Sequence, residues 1–177
     1  MKILITLSLL FSQASIAQEF KEKAPLVTQA LKKNLMGSLA KKISQEGATA
    51  AVDFCHLNVK PLGQKTSQEF NGKYDFGRVS HKIRNPKNAP QDWMKPYLEK
   101  FKDKKQSSPD SSAFFHTQKD GTLVYLEPLW VAPMCLQCHG ENVALSVSSE
   151  IKKRYPKDEA RGFKVGDFRG FIWVKEK

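Results

Sequence analysis

The chain is expected to fold as an α+β domain, with helices packed on an antiparallel sheet. Two observations carry that expectation. Apolar residues recur every three or four positions through the N-terminal part, and short strand-like runs separated by turn residues fill the C-terminal half. The length of 177 residues suits one domain, and neither internal repeats nor low-complexity segments interrupt it beyond a lysine-rich loop.

The N-terminus has the composition of a secretory signal. Lys2 precedes the apolar run of residues 3–11, and small residues lead to a cleavage point after Ala17. That run is far shorter than the roughly 20 residues of a membrane span. Residues 1–17 are therefore expected to be removed, leaving 18–177 as one exported, periplasmic domain without a stable membrane span. No cysteine follows the cleavage point, so no lipid anchor is expected.

Residues 18–46 read as a helix with Leu26, Ala30, Leu31, Leu35, Leu39 and Ile43 on its apolar side. Gly47 can end it. A second helix is expected over 48–59, with Ala48, Ala51, Val52, Cys55 and Val59 on one face, closed by Pro61 and Gly63. The pair predicts a helical hairpin covering one side of the sheet. Residues 63–76 are polar and read as loop, and 77–84 as a strand or extended segment. The stretch 85–90 is rich in turn residues. A helix follows over 91–102, with Trp93, Tyr97, Leu98 and Phe101 on its apolar face and Pro96 as a possible kink. Residues 102–110 form a charged loop.

Residues 113–116 and 123–131 read as strands joined by a hairpin at Asp120-Gly121. Residues 147–155 read as a short helix. Residues 163–165 and 168–174, around Gly166-Asp167, read as a final hairpin or bent strand. This order differs from the small all-helical cytochrome pattern.

The motif with the most chemistry is Cys135-Leu136-Gln137-Cys138-His139. C-x-x-C-H is the attachment signature of c-type haem: two thiols form thioethers and the adjacent imidazole binds iron. One covalently bound haem c is the expected cofactor. A dithiol redox pair would open a helix after a strand in a thioredoxin-type unit, and no such unit is apparent here. The third cysteine, Cys55, has no thiol partner left within the chain. Its helix face fits either an iron ligand on the haem's other side or a buried apolar bystander. His56 is a rival, about 100° further round the helix. His81, His116, Met134 and an open position complete the candidates, although Met134 adjoins Cys135 on the attachment side. A Cys3His zinc site built from Cys55 and the motif is also available.

The formal charge is +11, and falls to +10 when Lys2 leaves with the signal. Such a balance favours anionic partners, here an acidic redox or signalling protein. Nucleic acid does not suit an exported chain. Arg78, Lys82 and Arg84 alternate, so an extended segment would align them as a stripe able to hold haem propionates. No acid/base or nucleophile constellation stands out, so enzymatic activity is not expected.

Three segments together resemble a known family: GRVSHKIRNPKNAPQDWMKPYLEKF, YLEPLWVAPMCLQCHG and GFKVGDFRGFIWV. The chain is similar to a bacterial family of exported single-haem c-type proteins, long catalogued as a domain of unknown function and also found as the sensor part of signalling proteins. The resemblance spans roughly residues 26–174. It implies a PAS-like fold with haem on the sheet, and His139 and a cysteine as axial ligands. The matching cysteine, in an A-x-x-x-C helix before the basic segment, is Cys55; His56 beside it departs from the family pattern. The resemblance also implies that Arg78 and Arg84 lie near the haem. Such a protein is expected to act as a redox or gas sensor, binding NO or CO once reduced, or else as a small electron carrier. With no kinase, cyclase or methyl-acceptor sequence present, a sensor here is expected to report to a separate partner.

Overall fold

The computed structural model describes the backbone of residues 3–177 and side chains from residue 15 onward. The charged start of the expected signal, Met1 and Lys2, lies outside the described residues. The first helix, α1, spans Ile3–Glu69 and changes direction at Gly47. Then come β1 (Tyr74–Val79), short 3-10 turns at Pro86–Asn88 and Asp92–Met94, α2 (Lys95–Phe101), β2 (Phe114–Thr117) and β3 (Leu123–Trp130). A 3-10 turn at Pro133–Cys135 leads into α3 (Leu136–His139), followed by α4 (Leu145–Arg154) and β4 (Phe168–Glu176). The strands form one antiparallel sheet ordered β1-β4-β3-β2, so the α+β class is as expected. Among the described residues no helix is long and apolar enough to cross a membrane.

The hairpin of α1 follows from Gly47, whose φ of 83° and ψ of 170° belong to a region essentially reserved for glycine. The arms fold back on one another, and Asn34 Nδ2 donates to Thr66 Oγ1 at 2.9 Å. Phe20, Ala24, Val27 and Leu31 of the first arm bury against Tyr74, Tyr125, Ile172 and Val174 of the sheet. Val52 of the second arm packs with Val147, Ile151 and Tyr155 in and after α4.

The second arm is longer than expected. It passes through Pro61 and Gly63 to Glu69. Pro61 costs the hydrogen bond to the residue 57 carbonyl, but His56, Leu57 and Lys60 are exposed, so water can serve that group. At Gly63 an added Cβ would lie 2.4 Å from the Phe76 ring, so the glycine lets β1 approach the helix. The expected loop over 63–76 is therefore helix and then strand. β1 also starts and ends earlier than expected, covering 74–79 rather than 77–84. Pro96 lies in the first turn of α2, where its fixed φ and missing N–H suit a helix start rather than a kink.

The opposite sheet face carries Val79, Val124, Leu126 and Phe171 against Met94, Leu98 and Phe101. Phe101–Phe171 and Phe168–Phe171 ring centroids are 4.9 and 4.8 Å apart in edge contacts. Each such pair adds about 0.5–1.5 kcal/mol beyond its burial. Pro128 lies past Leu126, where the β2 pairing ends and β3 has a neighbour on one side only. The expected final hairpin does not form. Phe163 bridges Gly140 in parallel instead, and β4 runs alone between β1 and β3. The Gly166-Asp167 turn closes back onto β3, with Val131 N donating to Asp167 O and Gly166 N to Val131 O.

Gly170, at φ 143°, lies where an added Cβ would be 2.1 Å from the Val79 carbonyl oxygen. Gly47→Ala should cost about 1–3 kcal/mol from backbone strain alone. Gly170→Ala should lower the urea midpoint further, because the clash with β1 adds to the strain. Urea unfolding of both variants checks this, and equal midpoints would contradict the close β1–β4 approach.

Candidate haem site

The C-x-x-C-H motif is wound as one helical stretch. Pro133 opens the 3-10 turn and Cys135 N donates to Ala132 O at 2.9 Å. α3 continues to His139, so Cys135 and Cys138 are three apart and His139 four from the first thiol. Helical geometry puts all three on one face. The three cysteines are free and half-buried. Cys135 packs beside Val131, Ala160 and Phe163, and Cys138 beside Val52, Val147 and Ile151.

A strap over residues 158–163 fastens this motif. Phe163 N donates to His139 O at 3.0 Å, and Gly162 N to Gly140 O at 3.1 Å. His139 Nδ1 lies 2.8 Å from Ala160 O. A carbonyl only accepts, so Nδ1 carries the hydrogen and Nε2 keeps its lone pair. This is the hydrogen bond by which proteins orient a metal-binding imidazole. Burial, then the guanidiniums of Arg169 and Arg84, hold the His139 pKa well below the usual histidine range; the bond to Ala160 works the other way. The ring is therefore neutral at pH 7, as a ligand must be.

Asp158 anchors the strap. It accepts from Arg84 Nε at 2.8 Å and Arg161 Nε at 2.9 Å, and its Oδ1 receives Ala160 N at 3.0 Å. Arg84 Nη2 also donates to Cys138 O at 2.6 Å and Ala160 O at 3.2 Å. Arg84 thus stands beside the motif, with Nε and Nη2 engaged by protein. Burial pushes the Asp158 carboxyl up, but the bonds from Arg84 and Arg161 outweigh it and hold the pKa below the usual value.

Cys55 sits on the second arm of α1, within electrostatic reach of Arg78, Cys138 and Arg84. Burial pushes its thiol pKa up, and Arg78 is the strongest influence pulling it back. Arg78 projects from the β1 face shared with Ile172, towards the hairpin. Burial depresses its pKa, countered by the neighbouring Cys55 and Cys135.

The structure gives each of the other candidates a different setting. His56 is exposed, its Nδ1 3.2 Å from the Tyr155 hydroxyl. His116 stacks on Trp93 at 4.6 Å on the α2 side of the sheet. His81 stacks on Phe168, and the Phe163 ring packs edge-on against both His81 and His139. Met134 lies on the attachment turn. The alternating stripe of Arg78, Lys82 and Arg84 does not form, because β1 ends at Val79; Lys82 Nζ turns to Arg161 O at 3.1 Å. Among the described residues no three His, Cys, Asp or Glu side chains converge to hold a metal ion, which leaves the four-ligand zinc set without a built site.

Arg169 escaped the sequence reading. It is buried on β4 beside Phe163, and burial with Arg78 and Arg84 alongside pushes its pKa down to about 9. The available signal was one charge inside the apolar run Phe168–Val174. Asp158 and the Ala160 carbonyl left no comparable trace. Together, two thiols at helical spacing, an imidazole with Nε2 free and a nearby cluster of guanidiniums fit a covalently attached haem.

The chain matches the Tll0287-like family over residues 12–176 and belongs to it. A solved structure, described as the crystal structure of the cyanobacterial heme-protein Tll0287, is similar at 28% identity and a TM-score of 0.63, covering 89% of this chain and 94% of that one. No curated protein matches this chain.

Asp158→Asn should cost about 3 kcal/mol, because it strands Arg84 beside the motif. Its folded pKa is depressed, so the wild-type contribution is full above the unfolded value near 4 and is lost as pH falls through the lower folded value. Urea unfolding between pH 2 and 6 should therefore show a wild-type loss of stability in acid that the variant lacks. Parallel pH curves would contradict the role given to Asp158.

Proposed function

We propose that this chain is an exported, periplasmic protein carrying one haem c on Cys135 and Cys138, with His139 and Cys55 as axial ligands, and that it serves as a redox or gas sensor rather than as an enzyme. The observation that carries the reading is the His139 imidazole, held through Nδ1 by Ala160 O with Nε2 free, beside two thiols on one helical face. Support for Cys55 comes from its nearness to Arg78 and Cys138 and from the engagement of His56 with Tyr155. Support for the cofactor comes from the family and from the similar protein, itself a heme-protein.

When bound, the haem would supply a redox-active iron and, once reduced, a position for NO or CO. As a thiolate, Cys55 would donate strongly to a ferric iron, which would favour a low reduction potential. Burial of this thiol favours its protonated form. Arg78 is placed to moderate that tendency. The second reading, an electron carrier with His/His or His/Cys ligation, draws on the strongly basic balance, +10 once Lys2 leaves with the signal, which suits docking to an acidic protein.

Visible spectra of oxidised and reduced protein, made with haem-maturation machinery, test the reading. Wild type should show covalent haem with thiolate-type ferric bands, and Cys55→Ala should lose them. Reduced wild type should also take up CO. Unchanged bands in Cys55→Ala would make Cys55 a bystander and favour the carrier.

A further inference from the structure

Positive charge around the motif exceeds what the protein neutralises. Arg78, Arg84 and Arg169 lie within electrostatic reach of one another, and Arg161 joins them at Asp158. Asp158 pairs with Arg84 and Arg161. Among the described residues neither Arg78 nor Arg169 has an ion pair.

Their donors are also under-used. Arg169 is 7% exposed; Nη1 donates to Ser80 Oγ at 2.7 Å and Lys82 O at 3.2 Å, but Nε has no partner. Its guanidinium lies 5.2 Å from the centroid of Phe163, whose ring packs edge-on against His139 with centroids 6.3 Å apart. Arg78 makes no hydrogen bond among the described residues and lies on the sheet face towards Cys55. A guanidinium taken from water needs an anion or a full set of acceptors, or it destabilises the fold. Arg169 is such a group, and the half-buried Arg78 beside it also has no ion pair among the described residues.

We propose that Arg78 and Arg169 hold the two haem propionates, while Arg84 is a positioning residue for the attachment motif. The inference rests on the haem reading above. Two carboxylates match two unpaired guanidiniums, and the fork of each suits a carboxylate. With Asp158 they would leave the four arginines a single surplus charge. Arg84 is set apart because Asp158, Cys138 O and Ala160 O already occupy its Nε and Nη2.

The test uses haem-loaded protein in four forms: wild type, Arg169→Gln, Arg169→Lys and Arg84→Gln. Resonance Raman reads the propionate bending bands, and potentiometry reads the iron. Arg169→Gln should move the propionate bands and lower the reduction potential, because a cation that disfavours ferric iron has gone. Arg169→Lys, which keeps the charge without the fork, should recover most of the potential but not the bands. Arg84→Gln should lower the thermal midpoint and leave the bands in place. Bands unmoved in both Arg169 variants, or moved only in Arg84→Gln, would overturn the assignment. A colourless wild type would instead remove the haem reading on which it stands.

Discussion

The architecture around the motif depends on one hydrogen bond, from His139 Nδ1–H to the Ala160 carbonyl. It fixes both tautomer and ring orientation, and it requires residue 160 to be held still. That requirement accounts for the rest of the strap. Asp158 receives Ala160 N, Arg84 reaches both Asp158 and Ala160 O, and Phe163 N closes onto His139 O. Each of these contacts steadies residue 160 or the turn that carries the ring. The strap follows α4 and precedes β4, so the sheet and the α1–α4 packing act as its frame.

Electrostatics sets a second constraint. Burial, reinforced by the arginines gathered around it, keeps the imidazole neutral, which suits a ligand, but the arrangement burdens the fold with charge that Asp158 alone does not offset. Surface lysines differ in kind. Lys42, Lys95 and Lys102 pair with acids three or four residues away on their own helices or turns, and exposed pairs of this sort contribute little to stability. The charge with consequences is therefore the buried cluster, and the overall basic composition is a poor guide to it.

Much of this was legible in the sequence. The β2–β3 hairpin announced itself through Asp120-Gly121, where Thr122 N donates to Asp120 Oδ1. C-x-x-C-H named three residues at once. The errors have physical causes. Pro61 and Gly63 read as stops because local preference forbids them in a helix, yet solvent and the Phe76 contact overrule that preference. The segment 163–165 looked like half of a hairpin because it is apolar beside Gly166, but its partner is the motif itself, a tertiary fact without a local pattern. The stripe of Arg78, Lys82 and Arg84 does not exist, but Arg78 and Arg84, which the resemblance also implied, reach the motif separately, one from a strand face and one from the following turn.

The two proposed axial ligands come from elements held by different forces, and this bears on sensor against carrier. His139 belongs to a strap tied by a buried ion pair and several backbone hydrogen bonds. Cys55 belongs to a helical arm held near this point by an apolar patch, Val52 against Val147, Ile151 and Tyr155, with the His56–Tyr155, Asp53–Arg154 and Thr49–Ser146 contacts around it. An electron carrier benefits from two equally rigid ligands, since any rearrangement on electron transfer slows it. A ligand on an arm packed mainly by apolar contact, beside one tied by hydrogen bonds, suits a sensor that would report a change in iron charge as a change in the position of a helix. Gly47 sharpens the asymmetry, because it joins that arm to the sheet-bound one through a single residue in a glycine-only conformation. Because Cys138 packs beside Val52 of that arm, a shift of the arm would reach the attachment motif directly.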